Sequence, residues 1–413
     1  MDLLITHSET IKCLFYGNLL TVAEVSAFTG KSIPHAMKVL DQLKNARLVV
    51  EKGLADSSGG RKPLTYSLCP DTHHLVSVAM DQFSIQMVIV DMNNNFITEV
   101  ARYEFAINAG TPHQLLGYLS SFIKNNTGKK SKVISIGLTM PGFIDTVKGI
   151  NHSYLTLQEQ SLVDFLQQHL GLPVFLDNDS TAIALAEQKF GFDPKLKNVM
   201  VLNLGWGIGL GMILNNKIFR GTNGLAGEFS HIPLFKNGKR CNCGKRGCLE
   251  TEASLIAVTT IAKEGLEQGQ ASGLINYADI DADAILNEAI NGDAYAMQLI
   301  AEAAYHVGEG LAILIHLMNP ETIVLSGKGS IAGGLWLNPI QNAINEHCIP
   351  LLTRFTDVRV SVLGANAQLV GSAALVVENF GKPLKARLAA MESKSKNKAT
   401  HGSPLPVAGM QSA

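Results

Sequence analysis

Apolar residues change their spacing twice along this chain, and the changes divide it. Over the first 70 residues they recur at helical intervals. Residues 6–18 form a helix with Ile11, Leu14 and Phe15 on one face. Thr21 and Glu24, three residues apart, make a capping box that starts a second helix. Gly30 suits a turn needing positive φ, and Ser32 followed by Pro34 caps a third helix. Ala23, Val25 and Phe28 are expected to face Ile33, Met37, Leu40 and Leu43 across that turn. Strand-like runs at 47–53 and 64–68 then flank a polar loop, 55–63. A helix, a glycine turn, a capped helix and a hairpin make a winged helix-turn-helix over residues 1–70.

From residue 73 the pattern becomes α/β. Apolar strands are expected at 74–81, 86–91, 96–105, 132–140 and 174–177, with helices at 112–124 and 182–190. A second series begins at 198–203 and 209–214, with an Asn215-Asn216 turn into 217–220. Residues 252–318 read as mostly helical, 321–330 as a strand entering a glycine turn, and 365–380 as a helix. From 381 the Lys/Ser/Pro-rich tail lacks apolar periodicity and is expected to be disordered.

Composition narrows the class. The net charge is −1, so no global field steers the chain to nucleic acid or membrane. No apolar run reaches the ~18 residues needed to span a bilayer. The N-terminus has an early acid and no basic stretch, which argues against a signal peptide. Six cysteines, three of them within eight residues, suit a metal in a reducing compartment. A cytoplasmic protein is expected. The N-terminal segment is mildly basic, with eight Lys/Arg against six Asp/Glu. Lys31, Ser32, His35 and Lys38 at the start of its third helix, and Arg61 in the wing, are the candidate DNA contacts.

The densest chemistry lies at Cys241, Cys243 and Cys248, ten residues after His231. Three thiols and an imidazole fill four tetrahedral positions, and Gly244 and Gly247 let the chain fold tightly between them. That set closes a structural zinc site with no position open for catalysis. The Cys-x-Cys-Gly-x-x-Gly-Cys-x-Glu pattern resembles the signature of the ROK family, which groups bacterial sugar kinases with sugar-responsive repressors.

The resemblance extends over about residues 8–380. It implies two actin-like (ribonuclease H-like) ATPase-fold lobes behind the winged helix. The first would span 73–190 with the helix near 365–380, the second, carrying the zinc site, 191–364, and the tail 381–413. It implies that Asn178, Asp179, Glu228, His231 and Glu250 hold a monosaccharide or amino sugar, with Asp179 the general base if the chain were a kinase. The kinases follow their first strand with Asp-x-Gly-Gly-Thr, whereas here Asp81 is followed by Gln82, Phe83 and Ser84. In a second phosphate loop Trp206 replaces a small hydroxyl residue, and the third, 326–329, is partly kept. A side chain at these places fills volume that phosphates need. ATP is therefore not expected, and no residue is assigned a catalytic role. The expectation is a homodimeric or homotetrameric repressor binding operator DNA, nucleoid-associated when bound and releasing DNA on sugar binding. A ROK sugar kinase carrying a DNA-binding segment is the alternative.

Overall fold

The computed structural model describes residues 2–54, 62–127 and 132–381. Its N-terminal unit runs α1 (Asp2–Thr6), α2 (Ser8–Gly17), β1 (Leu20–Thr21), α3 (Val22–Thr29), α4 (Ile33–Asn45), β2 (Val49–Leu54) and β3 (Leu64–Leu68). The helix expected at 6–18 is α2, and a short helix not expected from the sequence, α1, precedes it across His7. The Thr21–Glu24 capping box forms, with Glu24 N–H donating to Thr21 Oγ1 at 3.3 Å and Thr21 N–H to Glu24 at 2.7 Å. Gly30 has φ +65° and Ser32 caps α4. The strands form a sheet in the order β1-β3-β2.

The packing between α3 and α4 differs from expectation. Val25, Leu40 and Leu43 are buried, joined by Ala36 and Val39. Ala23, Phe28, Ile33 and Met37 are exposed instead. The stripe 36–39–40–43 faces the core, and Ile33 and Met37 lie about 70° and 110° round the helix from its centre. Arg61 and the predicted wing tip lie outside the described residues, as does the tail from 382.

The next segment builds a five-stranded sheet from β4 (His74–Met80), β5 (Ser84–Asp91), β6 (Ala101–Glu104), β7 (Val133–Met140) and β10 (Val174–Asn178), in the order β10-β7-β4-β5-β6. Strands β4, β7 and β10 run parallel, and β4-β5-β6 form an antiparallel meander. The strand expected at 96–105 is shorter, with Phe96 making only a bridge to Val90. Helices α5 (Pro112–Asn126) and α6 (Leu162–Leu170) cover one face, and a small hairpin of β8 (Ile144–Asp145) and β9 (Ile150–Asn151) follows β7. Helix α7 (Asp179–Ala186) follows β10 and ends in a π-helical turn, Glu187–Gly191.

A second sheet repeats the plan. Strands β11 (Val199–Leu204), β12 (Ile208–Leu214), β13 (Lys217–Phe219), β14 (Thr322–Ser326) and β15 (Asp357–Val360) order as β13-β12-β11-β14-β15. Between β13 and β14 come α8 (Glu250–Ala253), α9 (Leu255–Glu267), α10 (Ala282–Ile290) and α11 (Ala294–Met318). Helices α12 (Gly334–His347) and α13 (Pro350–Thr353) precede β15.

The last helix, α14 (Ala367–Glu378), returns to the first sheet and to α7. A Cβ at Gly137 would meet the Ser372 carbonyl at 2.1 Å, and one at Gly371 the Ala182 carbonyl at 2.1 Å, so two glycines permit this close approach. Helix α2 docks on the same helix. Tyr16 Oη donates to Glu378 at 2.9 Å and Lys12 lies 3.3 Å from it. Leu4, Ile11, Leu14 and Phe15 share one apolar core with Leu75, Val88, Leu185 and Val376. Among the described residues no helix is long and apolar enough to cross a membrane.

Candidate functional site

The two sheets face each other across a cleft of about 1030 Å³, lined from both sides by strand ends and glycine loops. On the first side β10 ends at Asn178, whose side chain caps α7. Its Oδ1 accepts from the Ser180 and Thr181 amides at 3.0 and 3.1 Å, while its Nδ2 donates to the Gly142 carbonyl at 3.3 Å. Asp179 is therefore not the cap but the first residue of the helix, with its carboxylate free to line the cleft. It accepts from Ser180 N–H at 2.8 Å and from Asn203 Nδ2 at 3.2 Å, across the cleft. Burial pushes Asp179 up to about 6, against hydrogen bonds from Ser180 and with help from the charge of Asp81.

On the second side, Gly227 (φ +99°) turns the chain so that Glu228 and His231 enter the same cleft. Glu250 opens α8 and accepts from the Ile208 amide at 3.3 Å. Burial raises both Glu228 and Glu250; the facing carboxylates Asp179 and Glu250 add to the rise at Glu228, while His231 and, at Glu250, the Ser230 hydroxyl oppose it. All five residues singled out in the sequence, Asn178, Asp179, Glu228, His231 and Glu250, line one cavity. Three carboxylates supply a dense set of acceptors for ligand hydroxyl groups, and the imidazole, turned to the thiols through Nδ1, presents its Nε2 side beside them.

His231, Cys241, Cys243 and Cys248 bring one ligand atom each within 4.8 Å of one another. Cys241 Sγ is 3.6 Å from His231 Nδ1, and Cys243 Sγ is 3.6 Å from Cys248 Sγ. A tetrahedron with ~2.3 Å metal–sulfur bonds has edges of about 3.8 Å, so the donor set and its spacing fit a tetrahedral cation. The loop closes through the turn from Gly244 N–H to Cys241 O, and Gly247 (φ +77°) passes so near Phe235 that a Cβ would meet its carbonyl at 2.0 Å. Burial and the neighbouring thiols push Cys248 up to about 12, a cost that a bound cation removes. His231 aims Nδ1 at the thiols and keeps Nε2 toward Glu228, 3.9 Å away. One imidazole thus ties the cluster to the cleft.

The pattern of the ROK family matches residues 76–379. The chain belongs to the ROK family. It is 29% identical to the xylose repressor of Caldicellulosiruptor bescii, over 90% of this chain and 94% of that one. That coverage takes in part of the 75 residues preceding the family match. It is 35% identical to a glucokinase of Halalkalibacterium halodurans, over 60% of this chain and 77% of the enzyme. Among solved structures, a ROK family transcriptional regulator homologous to the E. coli Mlc protein superposes with a TM-score of 0.74 at 24% identity, covering 92% of this chain and 96% of that one.

The ROK fold directs attention to the glycine loops of the cleft. Here Asp81 folds its carboxylate into the β4-β5 turn, taking the Phe83 and Ser84 amides at 2.7 and 2.6 Å. Phe83 reaches across to Trp206, ring centres 4.5 Å apart and edge-on at 71°. Lys328 Nζ sits 5.3 Å over the indole and pairs with Asp283 at 2.6 Å, and Arg102 approaches Asp283 from the first lobe at 3.9 Å.

Several contributing residues carried no signal in the chain. Asn203 at the end of β11 reads as a strand residue until the fold sets it against Asp179 and Ser180. Arg220 pairs bidentately with buried Asp177 at 2.6–2.7 Å, tying the base of the Glu228 loop to β10. Ser230 lies beside Glu250, and its hydroxyl opposes the rise that burial imposes on that carboxyl. Of the DNA candidates, Lys31, Ser32, His35 and Lys38 are all exposed at the start of α4.

Proposed function

We propose that this chain is a sugar-responsive transcriptional repressor that binds operator DNA through its N-terminal unit and a monosaccharide in the cleft, without phosphorylating it. The observation that carries the reading is the Phe83–Trp206 contact, set beside an acceptor-rich sugar site with all five residues kept. In a ROK kinase the corresponding loops approach nucleotide phosphates with backbone amides and small residues. Two aromatic rings meeting there take that space, and Asp81 spends its carboxylate on its own turn.

In this reading Asp179, Glu228 and Glu250 accept hydrogen bonds from sugar hydroxyls, Asn178 orients the α7 end, and His231 presents its outer face to the sugar. A zinc ion held by His231, Cys241, Cys243 and Cys248 supplies no chemistry to the sugar. It fixes the loop that carries His231 and leads into Glu250. Residues 1–70 serve as the DNA-binding domain, 73–190 with α14 as one lobe and 191–364 as the other. The protein acts as a homodimer or homotetramer, matching a palindromic operator.

Helix α7 joins the two functions. Its first turn holds Asn178 and Asp179. At its far end the π turn places Lys189 3.2 Å from Glu378 and 4.8 Å over the Tyr16 ring, and Phe190 against Phe15 and Tyr16 of α2. In the same turn buried Glu187 accepts from Ser326 Oγ at 2.6 Å and from Ser361, both of the second lobe. π turns are common at functional sites. A shift of α7 on sugar binding moves the surface on which the DNA-binding unit rests.

Thermal unfolding of the zinc-loaded protein against glucose, N-acetylhexosamines and pentoses, each with and without Mg-ATP, tests the reading. A ligand at about a hundred times its dissociation constant adds ~2.7 kcal/mol. One sugar should raise the Tm and Mg-ATP should add nothing. An ATP-dependent shift with phosphoryl transfer would instead establish a kinase.

A further inference from the structure

Helix α4 buries Ala36, Val39, Leu40 and Leu43, yet on the flank of that stripe two large apolar residues stay out of the core. Ile33 and Met37 are 53% and 49% exposed, and Phe28, across the Gly30 turn, is 55% exposed. Ile33 and Met37 are four residues apart and share one helical face. Large apolar side chains left in water at the start of a capped helix ask for a partner.

The surroundings decide which kind. Lys31, His35 and Lys38 are exposed around these residues, and α4 points its thirteen-residue dipole's positive end the same way. Glu24 is held in its capping box, and Asp41 lies 3.8 Å from Lys44. The face therefore has an apolar centre and a cationic rim. An isologous contact with a second copy sets the lysines of one rim near those of the other, which repels. The DNA major groove offers the complement: phosphates along the walls, and on its floor one apolar group, the thymine 5-methyl.

Resting on the DNA-binding reading of the N-terminal unit, we infer that Ile33 and Met37, with Phe28 beside them, read thymine methyl groups. Operator specificity then depends on thymines in each half-site, while Lys31 and Lys38 hold the backbone. The residues that fail to join the core are the ones that select sequence.

Replacing thymine by uracil removes that methyl and leaves the pairing edge intact, which gives a direct test. Duplexes are selected from a random 40-base-pair library on the full-length zinc-loaded protein without sugar. The selected duplex is then made with dT or dU in its half-sites. Burying one methyl is worth ~0.8 kcal/mol, about fourfold in affinity, so uracil should weaken wild-type binding about fourfold per contacted position. Met37→Ala and Ile33→Ala should each lose part of the uracil effect, about fourfold for the methyl each one contacts, while keeping their affinity for unselected DNA. Both side chains are exposed, so neither change removes a core contact. Equal wild-type affinity for the dT and dU duplexes overturns the inference. So does a Met37→Ala variant that changes oligomeric state in sedimentation while keeping the full uracil effect, which assigns the patch to self-association. Recovery of no duplex at all overturns the DNA-binding reading itself.

Discussion

Asp179 shows how one side chain can be costly to the fold and useful to the site. Burial holds its carboxyl near 6 in the folded chain, above the ordinary 3.8 of an exposed one. Below pH ~4 both states are protonated and nothing is lost. Between the two values the unfolded chain releases its proton while the folded chain retains it, so stability falls as pH rises, and the penalty is complete above about 6. Asp179→Asn keeps the shape and the acceptor for Asn203 at the expense of the bond from Ser180 N–H, a loss that does not vary with pH, and it cannot ionise. The variant should therefore melt higher than wild type at pH 7.5, with the gap closing toward pH 4, and should lose the sugar-induced Tm shift. A gap that does not change with pH would show that the carboxylate is well solvated. The metal-site residues were legible because their spacing along the chain is their chemistry, three thiols in eight residues, whereas Asn178, Asp179, Glu228 and Glu250 were legible only through the resemblance to the ROK family. Asn203 and Arg220 were not, because each acquires its role only from a partner that the fold brings to it.

Elements divide by the same criterion. The capping box at Thr21, the cap at Ser32 and the positive φ of Asn215 and Asn216 are local, and the chain states them locally. What periodicity could not settle was which apolar residues of α3 and α4 meet, because the stripe is wider than the contact and the crossing of the helices chooses within it. Nor does periodicity separate the π turn at Glu187–Gly191 from the helix before it. That turn makes α7 more than a cover for the sheet. Glu378, which burial alone would raise, is brought below its ordinary value by Lys189 and Lys12, so a chain of charge links α7 through α14 to α2. Lys189→Met keeps the apolar stem and removes the charge. If α7 carries the signal, this variant should bind sugar and operator separately with near wild-type affinity, yet release DNA less completely when sugar is added, by titration of fluorescent operator. Unchanged release would place the coupling elsewhere.

At the scale of the molecule, the two lobes touch at both ends of their cleft. Arg220–Asp177, Glu187 with Ser326 and Ser361, and Asn203–Asp179 join them at its floor, while Phe83–Trp206 and Arg102–Asp283 meet nearer its mouth. The floor contacts are short and well directed. The mouth contacts are an edge-on ring pair and an ion pair at 3.9 Å between half-exposed side chains, which cost little to rearrange. On the proposed reading a cleft built in this way would close about its floor, and a sugar bridging Asp179 on one lobe and Glu228 and Glu250 on the other would select the closed form. Among the described residues the N-terminal unit packs through α2 mainly against α14 and the first sheet, so closure would change where the second lobe stands relative to it. If this single motion connects the sites, the linkage is reciprocal. Whatever factor saturating sugar imposes on the operator dissociation constant, saturating operator must impose on that of the sugar. Operator titrations with and without the effector, and calorimetric sugar titrations with and without operator, should return the same ratio, on the order of 5 to 150. Ratios that differ beyond error, with oligomeric state held constant, would require a further state that binds one ligand and not the other, and a two-position cleft would no longer describe the protein.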